Sequence, residues 1–379
     1  MQVGPLVEPS PALSGPERER YARHTRLVEI GEVGQRRLAA ARVLVVGAGG
    51  LGSPALTYLA AAGVGRIGIV DDDVVELSNL HRQPLHGDPD IGRAKVDSAA
   101  DRLREINPHV TVRTHRHRLT GDNAQELVAA YDLVVDGADN FATRYLVTDA
   151  CGLARIPHVW ASINTFAGQL SVWWAGHGPC YRCVFPEAPP PGSVASCAEA
   201  GVLGVLPGVM GALQAAEAIK LITGVGDVAV GRIVLHDALA GSWDEVPVRA
   251  RRDCALCGEN PTVTEVVGVD DRLEVPTVTP SAVADLVGGP GVVFLDVREA
   301  SEFGEGRIEP SVHIPLRDLV GGGAAEQVGV WRGHGDRIVV YCRSGVRSAR
   351  AAAYLLDEGV SRVESLDGGI LAWEGHARD

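Results

Sequence analysis

The most constraining stretch of this sequence is VLVVGAGGLG, residues 43–52, in which a β-branched run leads directly into glycines. Gly47, Gly49 and Gly52 stand in the order G-x-G-x-x-G, and the alanine-rich segment SPALTYLAAAG follows them. Glycines let a backbone approach a phosphate closely, and the N-terminus of the next helix offers free N–H groups and a positive dipole end. The pattern predicts a strand, a phosphate-binding turn and a helix, and it fits an NAD-binding oxidoreductase as well as an ATP enzyme.

Alternation of β-branched runs with alanine-rich stretches extends this prediction to the whole chain. In the first part the runs lie at 43–46, 67–70, 133–135 and 158–163. They predict an α/β fold with a Rossmann-like, doubly wound and mainly parallel sheet covered by helices. Shorter runs at 292–295 and 338–340 predict a second, smaller α/β domain.

A chain of 379 residues exceeds one hydrophobic core, so separate domains are expected. Residues 1–16 contain four prolines and no basic or apolar leader pattern, which predicts a flexible tail rather than an export signal. Residues 259–275 have no clear helical period and predict a linker. The first domain is therefore predicted at 17–258 and the second at 276–379.

Charge and hydropathy limit the possible partners. The formal net charge of −13 argues against a direct nucleic-acid binder and restricts any basic site to a local pocket. The longest uncharged apolar stretch, residues 200–213, has 14 residues, fewer than the ~20 that a membrane-spanning helix needs. These features predict a cytoplasmic protein without a membrane segment.

Polar residues after the second predicted strand favour ATP over NAD. Asp71 ends the run IGIVD, where a carboxylate can accept hydrogen bonds from a ribose. Asn79, Arg82, Gln83 and Lys95 follow it. Arginine and lysine can neutralise the charge on a departing pyrophosphate, which dinucleotide binding does not require. A solvated surface loop is the alternative interpretation of these residues.

The run DLVVDGADN ends another predicted strand and brings further acids to the same edge of the sheet. Asp139 is a candidate ligand for Mg²⁺ against phosphate oxygens. Its alternative role is to cap the helix that contains Arg144 and Tyr145, and one residue could serve both purposes.

Seven cysteines in a chain without an export signal point to metal binding and reactive thiols rather than disulfides. Two Cys-x-x-Cys pairs, formed by Cys180 with Cys183 and by Cys254 with Cys257, predict a tetrahedral structural zinc site. Two independent redox pairs are the alternative. Cys151 lies in an apolar helical stretch and is predicted to be a buried free thiol.

Two further cysteines are candidates for chemistry. Cys197 lies in the small-residue segment GSVASCAEAG, and its reactivity stays open. Cys342 follows a predicted strand, and the N–H groups and arginines after it can stabilise a thiolate or a persulfide. A phosphatase loop Cys-x5-Arg is excluded because Ser348 stands at the arginine position. The predicted persulfide loop consists of Arg343, Ser344, Gly345, Val346, Arg347 and Ser348.

These motifs resemble two known families. Residues 20–258 are similar to molybdopterin-synthase adenylyltransferases and their ThiF-like thiamine-pathway homologues, bacterial relatives of ubiquitin-activating enzymes. The matching motifs are RYARH, GAGGLGS, DDDVVELSNLHRQ, IGRAK, DGADN, PCYRC and CALC. From residue 276 onwards, LDVREASEF, HIPL, YCRSGVRS and LDGGILAW resemble a rhodanese. The order of the two parts is that of fused adenylyltransferase-sulfurtransferases.

The resemblance implies activation of the C-terminal Gly-Gly of a ubiquitin-like sulfur-carrier protein with Mg-ATP. The rhodanese part would carry a persulfide on Cys342, supplied by thiosulfate or a cysteine desulfurase, and would form the carrier thiocarboxylate for molybdopterin, thiamine, cysteine or thio-tRNA synthesis. In an implied homodimer, Arg23 would reach the partner's pocket. Cys197 matches a loop cysteine that some relatives use for an acyl or disulfide intermediate. The implied nucleotide-site residues are Gly47, Gly49, Gly50, Gly52, Asp71, Asp73, Ser78, Asn79, Arg82, Gln83, Lys95, Asp139 and Asn140.

Two other hypotheses remain at this stage. An NAD-binding oxidoreductase fused to a thiol regulatory module would retain a dinucleotide and release no pyrophosphate. Alternatively, the second domain would be a binding module whose cysteine loop is inert.

Overall fold

The computed structural model describes residues 1–189, 201–267 and 275–376. These residues form two compact units, the first ending at residue 267 and the second beginning at residue 275. The first unit contains an eight-stranded sheet and the second a five-stranded sheet. The predicted α/β class is confirmed in both units.

In the first unit the strands are β1 (Arg42–Val46), β2 (Arg66–Val70), β3 (Thr111–His115), β4 (Leu133–Asp136), β5 (His158–Asn164), β6 (Ala167–Trp173), β7 (Arg232–Asp237) and β8 (Ser242–Pro247). Their order in the sheet is β3-β2-β1-β4-β5-β6-β7-β8. The strands from β3 to β5 in this order are parallel, and the remaining pairings are antiparallel. The strand order reverses at β1 and β4, and ligands of parallel sheets bind at the carboxyl ends beside such a reversal.

Helices cover this sheet. They are α1 (Gly15–Arg20), α2 (Ala22–Thr25), α3 (Gly31–Ala40), α4 (Gly52–Ala62), α5 (Lys95–Ile106), α6 (Gly121–Ala129), α7 (Phe141–Ala154), α8 (Tyr181–Val184) and α9 (Val205–Thr223), with 3-10 turns at Leu77–Asn79 and Asp88–Asp90. Among the described residues, α9 alone is long and apolar enough to cross a membrane. It packs against α4, β5 and β6, with Leu206, Met210 and Leu221 fully buried. We therefore interpret α9 as a core helix.

The N-terminal segment differs from the flexible tail that its prolines predicted. The N–H of Leu6 donates to the carbonyl of Leu221 at 3.1 Å, and the N–H of Ser10 donates to the carbonyl of Arg36 at 3.0 Å. Val3, Leu6 and Val7 pack against the first core. Apolar side chains between the prolines therefore fix this segment against α3 and α9.

Part of the predicted linker also belongs to the first unit. Val266 is buried among residues of α7, including Val147 and Cys151. The N–H groups of Thr262 and Val263 both donate to the carbonyl of Ala255. Residues 259–267 thus pack onto the unit that precedes them, and residues 268–274 lie outside the described part of the chain.

The strands of the second unit are β9 (Thr277–Val278), β10 (Val292–Asp296), β11 (Val312–His313), β12 (Arg337–Tyr341) and β13 (Val363–Leu366). Its helices are α10 (Pro280–Val283), α11 (Ala300–Glu305), α12 (Leu316–Val320), α13 (Ala325–His334), α14 (Val346–Asp357) and α15 (Gly369–His376), with a 3-10 turn at Ala284–Leu286. The sheet order is β11-β10-β12-β13-β9, all parallel. Ile338 and Val340 of the central strand β12 face one core, whereas Val339 and Tyr341 face the other. Helices cover both faces, as buried parallel strands require.

Candidate functional site

The glycine-rich turn after β1 is fixed by close backbone approaches. Gly47 has a φ of +85°, in the region that favours glycine. A Cβ on Gly52 would lie only 1.9 Å from the carbonyl oxygen of Gly47. Gly50 faces Pro207 of α9, where a Cβ would make a 3.1 Å contact. The three glycines therefore pack the turn against its own helix and α9.

Asp71 and His86 hold the peptide group of Ala48 from two sides. The N–H of Ala48 donates to Asp71 Oδ2 at 2.8 Å, and the other carboxylate oxygen accepts the N–H of Asp73 at 2.8 Å. His86 Nε2 lies 3.0 Å from the carbonyl oxygen of Ala48, while its Nδ1 lies 2.8 Å from the hydroxyl of Ser98. Burial raises the pKa of Asp71 and lowers the pKa of His86. A neutral His86 that donates from Nε2 fits both contacts.

The predicted cations and amides lie around this turn. Lys95 is buried at the start of α5, and its Nζ pairs with Asp73 at 2.7 Å. The amide nitrogen of Gln83 lies 3.6 Å from the place where a Cβ on Gly49 would stand. Gln83 is 3% exposed, and its Oε1 has no hydrogen-bond partner among the described residues. This buried amide is a natural ligand contact beside the glycines.

The remaining polar residues of this segment support the turn at 77–83. Asn79 is buried and accepts the N–H of Glu76 at 3.2 Å. Arg82 donates to the carbonyl of Ser78 at 2.9 Å, and its Cδ lies 3.8 Å from the Cβ position of Gly50. Asn79 is thus mainly a support, whereas Arg82 lies beside the glycine-rich turn.

The segment after β4 bears on the two roles that the sequence left open for Asp139, a Mg²⁺ ligand and a helix cap. Asn140 is the N-cap of α7, because its side chain accepts the N–H of Thr143 at 2.8 Å. Asp139 is exposed. Asp136 is fully buried, accepts the N–H of Ala138 at 2.9 Å and lies 3.0 Å from His158 Nε2. Asp139 is therefore available for a ligand at the carboxyl end of the sheet.

The four cysteines of the two Cys-x-x-Cys pairs converge. All four sulfurs lie within 4.8 Å of one another, with separations of 3.8 Å for Cys180–Cys183, 3.5 Å for Cys180–Cys254 and 3.4 Å for Cys183–Cys257. Zn–S bonds of about 2.3 Å in a tetrahedron space the sulfurs roughly 3.8 Å apart. The geometry fits one structural metal ion better than two separate redox pairs.

Cys342 follows β12 directly, and its sulfur accepts the N–H of Gly345 at 3.2 Å. Gly345 has a φ of +98°, and α14 begins at the next residue. A Cβ on Gly369 would lie 2.5 Å from the carbonyl of Cys342, so a second glycine segment supports the loop. Ser348 donates to the carbonyl of Gly345 at 3.0 Å and contacts Ser365. The predicted persulfide loop therefore consists of a three-residue turn followed by the first turn of α14.

The two loop arginines do not act alike. Arg347 makes a bidentate ion pair with Glu302 of α11, at 2.7 and 2.6 Å. This hydrogen bonding lowers the pKa of Glu302 and raises the pKa of Arg347. Arg343, with Ser344 and Val346, is exposed. The positive charge of Arg347 is therefore compensated within the unit, and Arg347 is mainly a support of the loop.

Sequence reasoning missed His86, Glu302 and the buried pair of Asp136 with His158. No local pattern signals His86, whereas the acid in the first turn of α11 was a usable signal for Glu302. Arg23 is exposed on α2 and makes no ion pair or hydrogen bond within the described residues. Cys197 lies outside the described residues. The prediction for Cys151 agrees with its 2% exposure, and burial raises the pKa of its thiol.

Comparison with known families and proteins adds an independent result. Residues 21–257 match the ThiF family model, and residues 279–376 match the rhodanese-like domain. The chain is 47% identical to the probable adenylyltransferase/sulfurtransferase MoeZ of Mycobacterium tuberculosis, over 97% of this chain and 96% of the relative. It is 43% identical to adenylyltransferase and sulfurtransferase MOCS3 of Sus scrofa, over 98% of this chain and 89% of that protein.

Solved structures share the fold of the larger part. E. coli MccB in complex with MccA-N7isoASN aligns with a TM-score of 0.58 at 22% identity, over 65% of this chain and 76% of that chain. The structure of PaaA aligns with a TM-score of 0.54 at 23% identity, over 64% of this chain and 76% of that chain. At this level of identity the likeness concerns the fold alone.

Proposed function

Because this chain belongs to the ThiF family and is an adenylyltransferase and sulfurtransferase with a rhodanese-like domain, we propose that its substrate is the C-terminal Gly-Gly of a ubiquitin-like sulfur-carrier protein. ATP activates the terminal carboxylate, and a persulfide on Cys342 provides the sulfur. The enzyme acts in the cytoplasm as a homodimer. The carrier thiocarboxylate serves molybdopterin, thiamine, cysteine or thio-tRNA synthesis.

In the first step the carrier carboxylate attacks the α-phosphorus of ATP, and pyrophosphate leaves. The glycine-rich turn binds the phosphates, and Lys95 and Arg82 offset the charge on the pyrophosphate. Lys95 already pairs with Asp73, so a triphosphate competes with a single exposed carboxylate for it. Mg²⁺ would be held by Asp139 and would add charge compensation at the phosphates. Arg23 would contribute from the partner subunit.

In the second step the outer sulfur of the Cys342 persulfide attacks the acyl carbon, and AMP leaves. The product is an acyl disulfide with Cys342. A second thiol then attacks the sulfur of Cys342, which releases the carrier thiocarboxylate and leaves a disulfide on the enzyme. Cys197 is our candidate for that thiol, and reduction of the disulfide completes the cycle. Zn²⁺ in the four-cysteine cluster is structural, since four sulfurs leave no open coordination position.

The observation that carries the proposal is the hydrogen bond from the Gly345 N–H to the sulfur of Cys342, at 3.2 Å. A strand end, a left-handed glycine and a helix N-terminus place this donor at the sulfur, and such a donor stabilises a sulfur anion. A binding module with an inert loop has no need of this arrangement. The observation therefore favours a sulfur-carrying cysteine.

Mass spectrometry of candidate carrier proteins tests the proposal. The carrier is incubated with the full-length enzyme, Mg-ATP and either thiosulfate or a cysteine desulfurase with cysteine. We expect one oxygen of the C-terminal carboxylate to be replaced by sulfur. Cys342→Ala should abolish this product and leave ATP–pyrophosphate exchange at the wild-type rate, because activation precedes sulfur transfer.

Cys151→Ala is the matched control, since it removes a buried thiol without a role in either step. It should retain thiocarboxylate formation. Undiminished product from Cys342→Ala, with no free sulfide present, would contradict the assignment of Cys342. Absence of pyrophosphate exchange with every carrier would contradict the adenylation step.

A further inference from the structure

Residues of β5, β6, α7 and the four-cysteine cluster line a small cavity. Its volume is about 10 Å³. Thr148, His158 and Trp173 line it, together with Cys180 of the cluster. The cavity thus borders both the four-cysteine cluster and the His158–Asp136 pair.

Three residues of the lining each carry a buried polar atom that has no hydrogen-bond partner among the described residues. These atoms are the Thr148 hydroxyl, His158 Nδ1 and Trp173 Nε1. Their residues are 3%, 1% and 2% exposed, respectively. An unsatisfied buried polar group costs about 1–3 kcal/mol, so three such residues in the lining of one cavity point to a polar partner inside it.

We propose that this cavity is a binding site for one water molecule that bridges Thr148, His158 and Trp173. Trp173 can only donate, and the water accepts its Nε1–H. His158 Nε2 faces the Asp136 carboxylate at 3.0 Å and donates to it, which leaves Nδ1 as an acceptor for one water proton. The water donates its second proton to the hydroxyl oxygen of Thr148. Buried waters typically make about three such bonds in cavities of roughly this size.

The water makes His158 a positioning residue for the nucleotide site. With Nδ1 bonded to the water, the imidazole is held in the tautomer and orientation that donate to Asp136. The other oxygen of Asp136 accepts the N–H of Ala138 and so fixes the turn that presents Asp139. This role rests on the proposed function, in which Asp139 holds Mg²⁺ with ATP.

A crystal structure of the full-length protein that resolves ordered water tests the site itself. We expect one water within about 2.7–3.2 Å of the three atoms. Thr148→Ser should retain it, whereas Thr148→Val should lose it or lower its occupancy. A wild-type cavity without this water overturns the proposal. This result does not depend on whether the protein binds ATP.

Calorimetric titration with ATP tests the positioning role. Thr148→Val should weaken ATP binding about 5- to 30-fold in the presence of Mg²⁺, and it should leave the affinity for metal-free ATP unchanged. Thr148→Ser should restore the wild-type value. Thr223→Val is the matched control, because it removes a buried hydroxyl that donates to Ile219 within α9.

The outcomes distinguish failure of the positioning role from failure of the proposed function. Equal weakening with and without Mg²⁺, or the same loss in Thr223→Val, would mean a general structural effect and would overturn the positioning role. Unchanged binding in Thr148→Val would overturn it as well. If the wild type itself does not bind Mg-ATP, the proposed function fails, while the crystal structure still decides the water site.

Discussion

The turn after β1 and the turn after β12 have a similar plan, and we propose different tasks for them. Each connects a buried parallel strand to a helix, and each contains a left-handed glycine, Gly47 at +85° and Gly345 at +98°. Residues 47–50, GAGG, carry no side chain larger than a methyl group. In the second turn the strand is followed by Cys342, whose sulfur receives the Gly345 N–H. We propose that the first turn binds an exchanging ligand, whereas the second binds an atom of its own chain.

The two turns also differ in what makes them rigid. Ala48 in the first is held by side chains from other elements, Asp71 and His86. In the second, a backbone group holds the cysteine itself: the N–H of Ile370 donates to the carbonyl of Cys342 at 2.8 Å. The first turn therefore depends at Ala48 on distant side chains, and it should be sensitive to substitutions that leave the cysteine turn unaffected.

The largest expected effect comes from Gly52→Ala. The added Cβ would lie 1.9 Å from the carbonyl of Gly47, so the backbone of the turn must move. Overpacking costs about 1–3 kcal/mol, and a cost of this size at the ATP site equals about a 5- to 150-fold loss of affinity. Calorimetric titration with Mg-ATP measures it. Thiosulfate-dependent sulfur transfer to cyanide at Cys342 should stay at the wild-type rate.

Gly15→Ala is the control, because a Cβ there meets no atom within 4 Å. It should leave both measurements unchanged. If Gly52→Ala impaired the cyanide assay as strongly as ATP binding, the independence of the two turns would be wrong.

A smaller effect is expected from His86→Leu, which removes the support of Ala48 and leaves its carbonyl and the Ser98 hydroxyl without this partner. We expect the Kd for ATP to rise about 5- to 30-fold. The Kd of His86→Gln should lie between those of the wild type and His86→Leu, because the glutamine amide can still donate to the carbonyl of Ala48. His236→Leu is the control, since its imidazole also lies beside a backbone carbonyl, that of Ser242 at 3.0 Å. An unchanged Kd in His86→Leu would remove the distinction between the two turns.

Local patterns predicted the parts of these sites that are local in the chain. The glycines after β1, both Cys-x-x-Cys pairs and the cysteine at the end of β12 each follow from a few neighbouring residues. His86 lies 38 residues from Ala48, and Glu302 lies 45 residues from Arg347. Such contacts arise only when the order of strands brings distant segments together. The packing of the N-terminal segment could not be predicted for a related reason: its prolines were informative, but the surface that partly buries Val3 and Leu6 is formed by α3 and α9.

The smallest expected effect concerns the Glu302–Arg347 ion pair beside the cysteine turn. Because Arg347 lowers the pKa of Glu302 below 4.5, the pair stabilises the fold fully above that pH and less as the pH falls through the lowered value. The pair is partly exposed, so its contribution is up to about 1 kcal/mol. Calorimetric melting of full-length wild type and Glu302→Gln, which mimics the protonated acid, should differ above pH 4.5 and converge at lower pH. A difference that persists unchanged in acid would show that the ion pair does not stabilise this turn.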